Sequence, residues 1–171
     1  MKIDDEITFI HHSDDKPFLK SKLFDVNMRL FRSSPKYRDL INHCCANVKN
    51  NATTHFEDYK DPHGMSGANC AIPFNIIGIV RHRGKFNQYV QIMINPVRLE
   101  CGGKRVSALS NCGSIRLKEP IVIKRREEVK VHWFDENGNP RSQWFNRSEG
   151  ALTIQHEIDH NLGILITDIE Q

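Results

Sequence analysis

Residues 155–160 read Q-H-E-I-D-H, two histidines four apart with a glutamate after the first. On an α-helix, residues four apart stand one turn apart on the same face, so His156 and His160 can aim imidazole nitrogens at one ion. Glu157 then points to the side, where a carboxylate can take a proton from water without ligating the metal. The chemistry predicted is metal-assisted hydrolysis. In a chain of this composition a chance match is expected at roughly a few per cent. Two histidines on a plain polar helix face is therefore the lesser reading.

A hydrolytic ion takes three protein ligands and keeps one position for water. The extended pattern H-E-x-x-H-x-x-G-x-x-H is met at Gly163 but ends on Ile166, which cannot ligate. Beyond it only Asp168 and Glu170 offer carboxylates, too near the helix to return as a separate element. The third ligand is expected upstream, among Cys44, Cys45, His55, His63, Cys70, His82, Cys101, Cys112, His132 and the carboxylates. Cys44 and Cys45 fall on an apolar helical pattern and fit a core. Cys101 in L-E-C-G-G-K and Cys112 in S-N-C-G-S-I both lie beside glycine, where backbone can approach a ligand closely. Spacing leaves both open.

The elements that must position these groups are legible from periodicity. Pro35 precedes K-Y-R-D-L-I-N-H-C-C-A-N-V-K-N, with Leu40, Ile41, Cys44, Cys45 and Val48 at helical spacing and His43 at the surface. The polar run from Asn51 to Gly64 is expected to be a loop. Short β-rich runs follow, N-I-I-G-I-V-R-H and Q-Y-V-Q-I-M-I-N, and Pro96 is expected to end the second. P-I-V-I-K-R and E-V-K-V-H-W-F-D come next, and Asn137-Gly138 predicts a hairpin into R-S-Q-W-F-N. Val129, Val131 and Trp133 alternate with Lys130 and His132, so His132 should face solvent rather than a metal. Ser148 is the expected N-cap of the last helix, and Gly163 its C-terminal stop. This is an α+β order: antiparallel β-strands packed around a C-terminal helix that carries H-E-x-x-H, with an N-terminal helix.

At 171 residues the chain suits one domain spanning 1–171, with 1–35 the part least supported by any pattern. A net charge of +3 is too small to make nucleic acid the main substrate, and leaves room only for weak association with an RNA-rich assembly such as the ribosome. No apolar run reaches the roughly 18 residues of a membrane span. The acidic, mixed N-terminus is not a signal peptide. Five cysteines, two of them adjacent, make a poor disulfide framework, so a reduced, cytoplasmic protein is expected.

Taken together, these residues resemble the peptide deformylase family, whose ordered motifs are G-φ-G-φ-A-A-x-Q, E-G-C-φ-S and Q-H-E-x-D-H-φ-x-G. Q-H-E-I-D-H-N-L-G-I-L-I-T-D fits the third closely through Gln155, Asp159, Gly163 and Asp168. S-N-C-G-S at 110–114 is similar to the second, G-M-S-G-A-N-C-A at 64–71 to the first, and M-I-N-P at 93–96 to a connecting strand. The resemblance covers about residues 60–170 and is shared by compact, bacteriophage-carried members. It implies Cys112 as the third ligand beside His156 and His160. It implies one divalent ion, Fe2+ in the native state with Zn2+, Ni2+ or Co2+ able to substitute. The implied reaction removes the formyl group of an N-formylmethionyl peptide: metal-bound water attacks the formyl carbon and Glu157 moves the proton. The backbone N–H of Gly113 is the implied oxyanion donor. Gly64, Met65, Ser66, Leu152 and Arg125 are the implied substrate-side positions. A monomer in the cytoplasm of a bacterium or a phage-infected cell is expected.

The chain departs from the family where the motif-one glutamine would stand, at Ala71; Ser66 replaces a glycine and Asn69 an alanine. In the second motif Ser110 and Asn111 stand for glutamate and glycine, and Gly113 for an apolar residue. Removing one oxyanion donor typically costs on the order of a hundred- to a thousand-fold in rate. Besides a working deformylase, the sequence therefore allows an impaired relative that binds peptide or ribosome, and a hydrolase of another small amide. Retention of His156, Glu157 and His160 favours turnover.

Overall fold

The computed structural model describes residues 16–54, 63–82, 85–110, 112, 114–115 and 120–169. Two short helices, α1 (Lys16–Leu19) and α2 (Met28–Ser33), lead into α3 (Pro35–Thr54). Asn27 caps α2, its side chain accepting the N–H groups of Arg29 and Leu30 at 3.1 Å each. Pro35 begins α3 because the first helical position needs no N–H donor and wants the φ that proline fixes. The loop expected from Asn51 starts later, since Asn51–Thr54 remain helical. Ala52 is fully buried against the core and Asn51 Nδ2 donates to Asn47 O at 3.0 Å, and both hold that last turn. Residues 55–62 of that stretch lie outside the described residues.

Five strands follow: β1 (Gly64–Ser66), β2 (Ile76–Arg81), β3 (Tyr89–Ser110), β4 (Ile121–Phe134) and β5 (Pro140–Phe145). They form one sheet in chain order, every neighbour antiparallel. Successive side chains on a strand face opposite ways. Ile76 and Val80 of β2 accordingly join Ile41, Cys44 and Val48 of α3 in one core. Ile77 and Ile79 join Val129, Val131, Trp133 and Phe145 in a second core on the other face. A strand buried on both faces needs the near-continuous apolar run that β2 has.

Two strand expectations need correction. Pro96 does not end β3, which runs on to Ser110; the pairing with β4 shifts register between Ile94 and Val97 instead. A bulge tolerates proline because the irregular position has no ladder bond to lose. The two runs expected to be separate strands at 120–135 are one strand, β4. The Asn137-Gly138 hairpin is present: Phe134 pairs with Pro140, Gly138 has φ 78°, and Asp135 accepts from the N–H groups of Asn137 and Asn139 at 3.0 and 2.9 Å. His132 is half-exposed on the face opposite Val131 and Trp133.

The last helix, α4 (Ala151–Asn161), packs into the second core through Ala151, Ile154 and Ile158. Ser148 is not its N-cap. A 3-10 turn at Arg147–Glu149 intervenes, capped by Asn146, whose side chain accepts from Glu149 N–H at 3.1 Å while the Glu149 carboxylate accepts from Asn146 N–H at 3.0 Å. Gly150, at φ 87°, then turns the chain into α4. Gly163 stops the helix as expected: its N–H donates to His160 O at 3.0 Å, and that of Ile164 to Asp159 O at 2.8 Å. Among the described residues no helix is long and apolar enough to cross a membrane.

Candidate metal centre

Helix α4 carries two interleaved stripes, each spaced by four. Gln155 and Asp159 fasten the helix to the sheet. Gln155 Nε2 donates to Arg126 O at 2.8 Å, and Asp159 Oδ2 accepts from Arg125 Nη1 at 2.5 Å, both partners on β4. Arg98 of β3 stands 3.6 Å from the other Asp159 oxygen. Leu152, His156 and His160 form the adjacent stripe, so fixing one stripe sets the direction of the other.

Beyond β3 the chain turns back through Cys112, with Ile115 N–H donating to Cys112 O at 3.1 Å. Cys112 is buried beside Ile123 and Ile166. Its sulfur lies 3.1 Å from His160 Nε2, which lies 3.1 Å from His156 Nε2. All three ligand-type atoms fall within 4.8 Å of one another. Two imidazole nitrogens bound at about 2.05 Å on tetrahedral Zn2+ would stand ~3.3 Å apart, close to the spacing seen here. Cys101 is exposed on β3 and Cys44 and Cys45 are core residues of α3, whereas Cys112 is the upstream residue that groups with the two histidines among the described residues.

Burial dominates the electrostatics. It raises the Glu157 carboxyl to about 8; Arg125 opposes this and Asp159 adds to it. Burial and Arg125 lower His160 to about 4, and burial, His160 and Arg125 hold His156 well below the ordinary histidine value. Burial pushes the Cys112 thiol up to about 12, against hydrogen bonds from Ser114 and Ile115. Two neutral imidazoles, a thiol and an acid converge where a dication would favour the charged forms of both acids. Glu157 Oε2 and His160 Nδ1 are buried with no hydrogen-bond partner among the described residues. The donor set and the partnerless carboxylate fit a divalent ion with an adjacent water.

β1 passes against Glu157. A Cβ on Gly64 would meet Glu157 Cγ at 2.7 Å, so only glycine leaves the carboxylate this room. Ser66, on the same face of β1, is fully buried and bonded to Asn69. Met65 points the other way, into the core against α3, where packing accounts for it. Leu152 is half-exposed, one turn before His156. Arg125 is buried and committed to Asp159 through Nη1, while its Nε and Nη2 have no partner among the described residues. Ala71 is exposed at φ 56°, after a 3-10 turn at Ala68–Cys70. Gly113 lies outside the described residues. Ser114, two residues after Cys112 and not singled out by the sequence, is fully buried and accepts from Asn69 Nδ2.

A sequence model of the polypeptide deformylase family matches residues 14–170. The peptide deformylase of Listeria welshimeri is 32% identical over 108 residues, spanning 61% of this chain and 58% of that one. The chain thus matches less than two thirds of that relative's length. A class I type b peptide deformylase from Acinetobacter baumannii, solved with Met-Ala-Ser bound, superposes at TM-score 0.74 and 20% identity, over 98% of this chain and 100% of that one. A probable peptide deformylase from Synechococcus phage S-SSM7 superposes at 0.71 and 18% identity, over 96% and 100%. At such identities the two structures establish the fold.

Proposed function

Because the chain belongs to the polypeptide deformylase family, we propose that it hydrolyses the formyl amide of N-formylmethionyl peptides, releasing formate and a free amino terminus. The observation that carries this reading is the convergence of Cys112, His156 and His160 beside a buried, partnerless Glu157. Those three residues would hold the ion. One thiolate with two imidazoles suits Fe2+, the ion we assign to the native state, and also accommodates Zn2+, Ni2+ or Co2+. Bound there, a divalent ion supplies Lewis acidity towards water and towards a carbonyl oxygen.

Glu157 takes the proton of the attacking water as the new C–O bond forms, then delivers it to the amine nitrogen as the C–N bond breaks. A carboxylate walled in by β1 exchanges its proton with the reacting groups rather than with bulk solvent. The oxyanion is assigned to the backbone N–H of Gly113, since Ala71 has no side-chain donor and the Asn69 NH2 already donates to Ser114 Oγ. Gly64 and Leu152 flank the reacting centre, with Ser66 behind Gly64. Arg125 is assigned to the substrate side of the sheet as well, acting through its buried pair with Asp159. Met65 supports the wall from the core side. The protein acts as a cytoplasmic monomer, with at most weak ribosome contact.

The missing amide at position 71 favours one competing reading, a relative that binds metal and peptide without turnover. Formate release decides between them. Protein loaded anaerobically with Fe2+ or Ni2+ should liberate formate from a formyl-Met peptide, and Glu157→Gln should abolish it. Peptide binding with no formate above the Glu157→Gln background would establish the binding module instead.

A further inference from the structure

Glu157 and Asn161 form a further stripe of α4, one turn apart and beside the histidine stripe. Glu157 lies against β1 at Gly64, and its Oε2 has no hydrogen-bond partner among the described residues. Where the helix stands on the sheet therefore sets where the carboxylate stands. Asn161, only 2% exposed, gives that stripe its directional bonds. Its Nδ2 donates to Asn75 Oδ1 at 3.0 Å and to the Ile76 carbonyl at 3.1 Å. A backbone carbonyl can only accept, so the Asn161 atom facing it is the NH2 group.

Both acceptors lie at the start of β2, and both are held in place. The Ile76 carbonyl also accepts from Gly67 N–H at 2.8 Å, one residue past the end of β1. One carbonyl thus anchors α4 and the end of β1 together. Asn75 N–H donates to Phe24 O at 2.7 Å, and its carbonyl accepts from Asn95 N–H at 2.7 Å. Its own Nδ2 donates to Asp25 Oδ1 at 2.9 Å, which leaves Oδ1 for Asn161.

These bonds are kept against a cost. Asn161 Oδ1 is buried with no hydrogen-bond partner among the described residues, and an amide oxygen in that state destabilises a fold. The motif Q-H-E-x-D-H-φ-x-G has an apolar residue at this place, which avoids that cost but holds a helix by shape alone. We infer that Asn161 is a positioning residue for Glu157. Its bonds to Asn75 and Ile76 fix α4 against β1 and β2, so that the carboxylate one turn away faces the reacting centre. The inference rests on Glu157 as the proton-transfer group of the proposed hydrolysis.

Stability and turnover, measured on the same variants, test this. Asn161→Leu keeps a comparable volume while removing both bonds and the unpartnered oxygen. Without metal it should melt at or above the wild-type temperature, and with metal it should hold one ion per chain. Its kcat for formate release from a formyl-Met peptide should fall by about 10-fold or more at unchanged KM, a part of the roughly 100-fold or greater worth of a positioned acid–base group. Asn75→Leu leaves the Ile76 bond in place and should lower kcat less, and the double variant should fall no further than Asn161→Leu. An unchanged kcat in either single variant would overturn the inference, whatever the melting temperature does. Losses that multiply in the double variant would overturn it too. Absence of formate release from the wild type would instead remove the role of Glu157, and this inference with it.

Discussion

Gly64 and Glu157 are in direct contact across the boundary between β1 and α4. A methyl group at position 64 would approach Glu157 Cγ to 2.7 Å, Ile79 Cδ1 to 2.9 Å and the Gly78 carbonyl to 3.0 Å. Ile79 and Gly78 are held in β2, so the glutamate side chain has to give way. Gly64→Ala should therefore lower kcat for formate release by about 100-fold, the lower range for loss of a positioned acid–base group. Metal stoichiometry should stay at the wild-type value, because no ligand touches position 64. Loss of metal in this variant would refute the assignment of the effect to Glu157.

Asp159 and Arg125 form a buried ion pair, so removing either side alone exposes the other to an apolar surrounding. Asp159→Asn strands Arg125 and should cost about 3 kcal/mol in urea unfolding of the metal-free protein. Arg125→Met should cost less, since Arg98 remains 3.6 Å from Asp159. The double variant should recover at least ~1 kcal/mol of the summed losses. Strict additivity would mean that the pair does not couple α4 to β4.

The stripe that carries His156 and His160 was legible because ligand spacing and helix periodicity are the same regularity. The companion stripe, Gln155 and Asp159, was visible only as a motif; its task depends on β4, which no local pattern places beside α4. The capping error at Ser148 was avoidable. Asn146-Arg-Ser-Glu149 is itself a capping-box pattern, and it begins a 3-10 turn one step before the helix. Pro96 misled because a bulge is a property of two strands, and only the partner shows whether the ladder can skip a residue. The Asn69–Ser114 contact joins residues 45 apart and leaves no periodic trace at all.

Gly163 is fixed twice over, by its conformation and by its surroundings. Its φ is 76°, and a Cβ would lie 2.4 Å from the Lys20 carbonyl oxygen, a backbone atom that cannot rotate away. Gly163→Ala should destabilise by about 2 kcal/mol or more, beyond the roughly 1–2 kcal/mol of the left-handed conformation alone. Thermal unfolding with and without bound metal measures this. A loss well below 1 kcal/mol would mean that the Lys20 segment does not pack against the helix end.

Glu157 and the two histidines predict how stability depends on pH in the metal-free protein. Glu157 has its pKa raised from 4.5 to about 8, so above 4.5 the unfolded chain releases a proton that the folded chain keeps. Stability then falls as pH rises towards 8. His156 and His160 are shifted the other way, His160 from 6.5 to about 4, so below 6.5 the unfolded chain binds protons that the folded chain refuses. Their contribution is lost as pH drops. Between 4.5 and 6.5 two histidines outweigh one glutamate, and above 6.5 the glutamate acts alone. Stability should peak near pH 6.5 and decline by roughly 1–2 kcal/mol towards pH 8. Glu157→Gln removes the titrating group, so urea midpoints of that variant should be flat from pH 6.5 to 8. A decline equal to wild type would place the responsible proton on another residue.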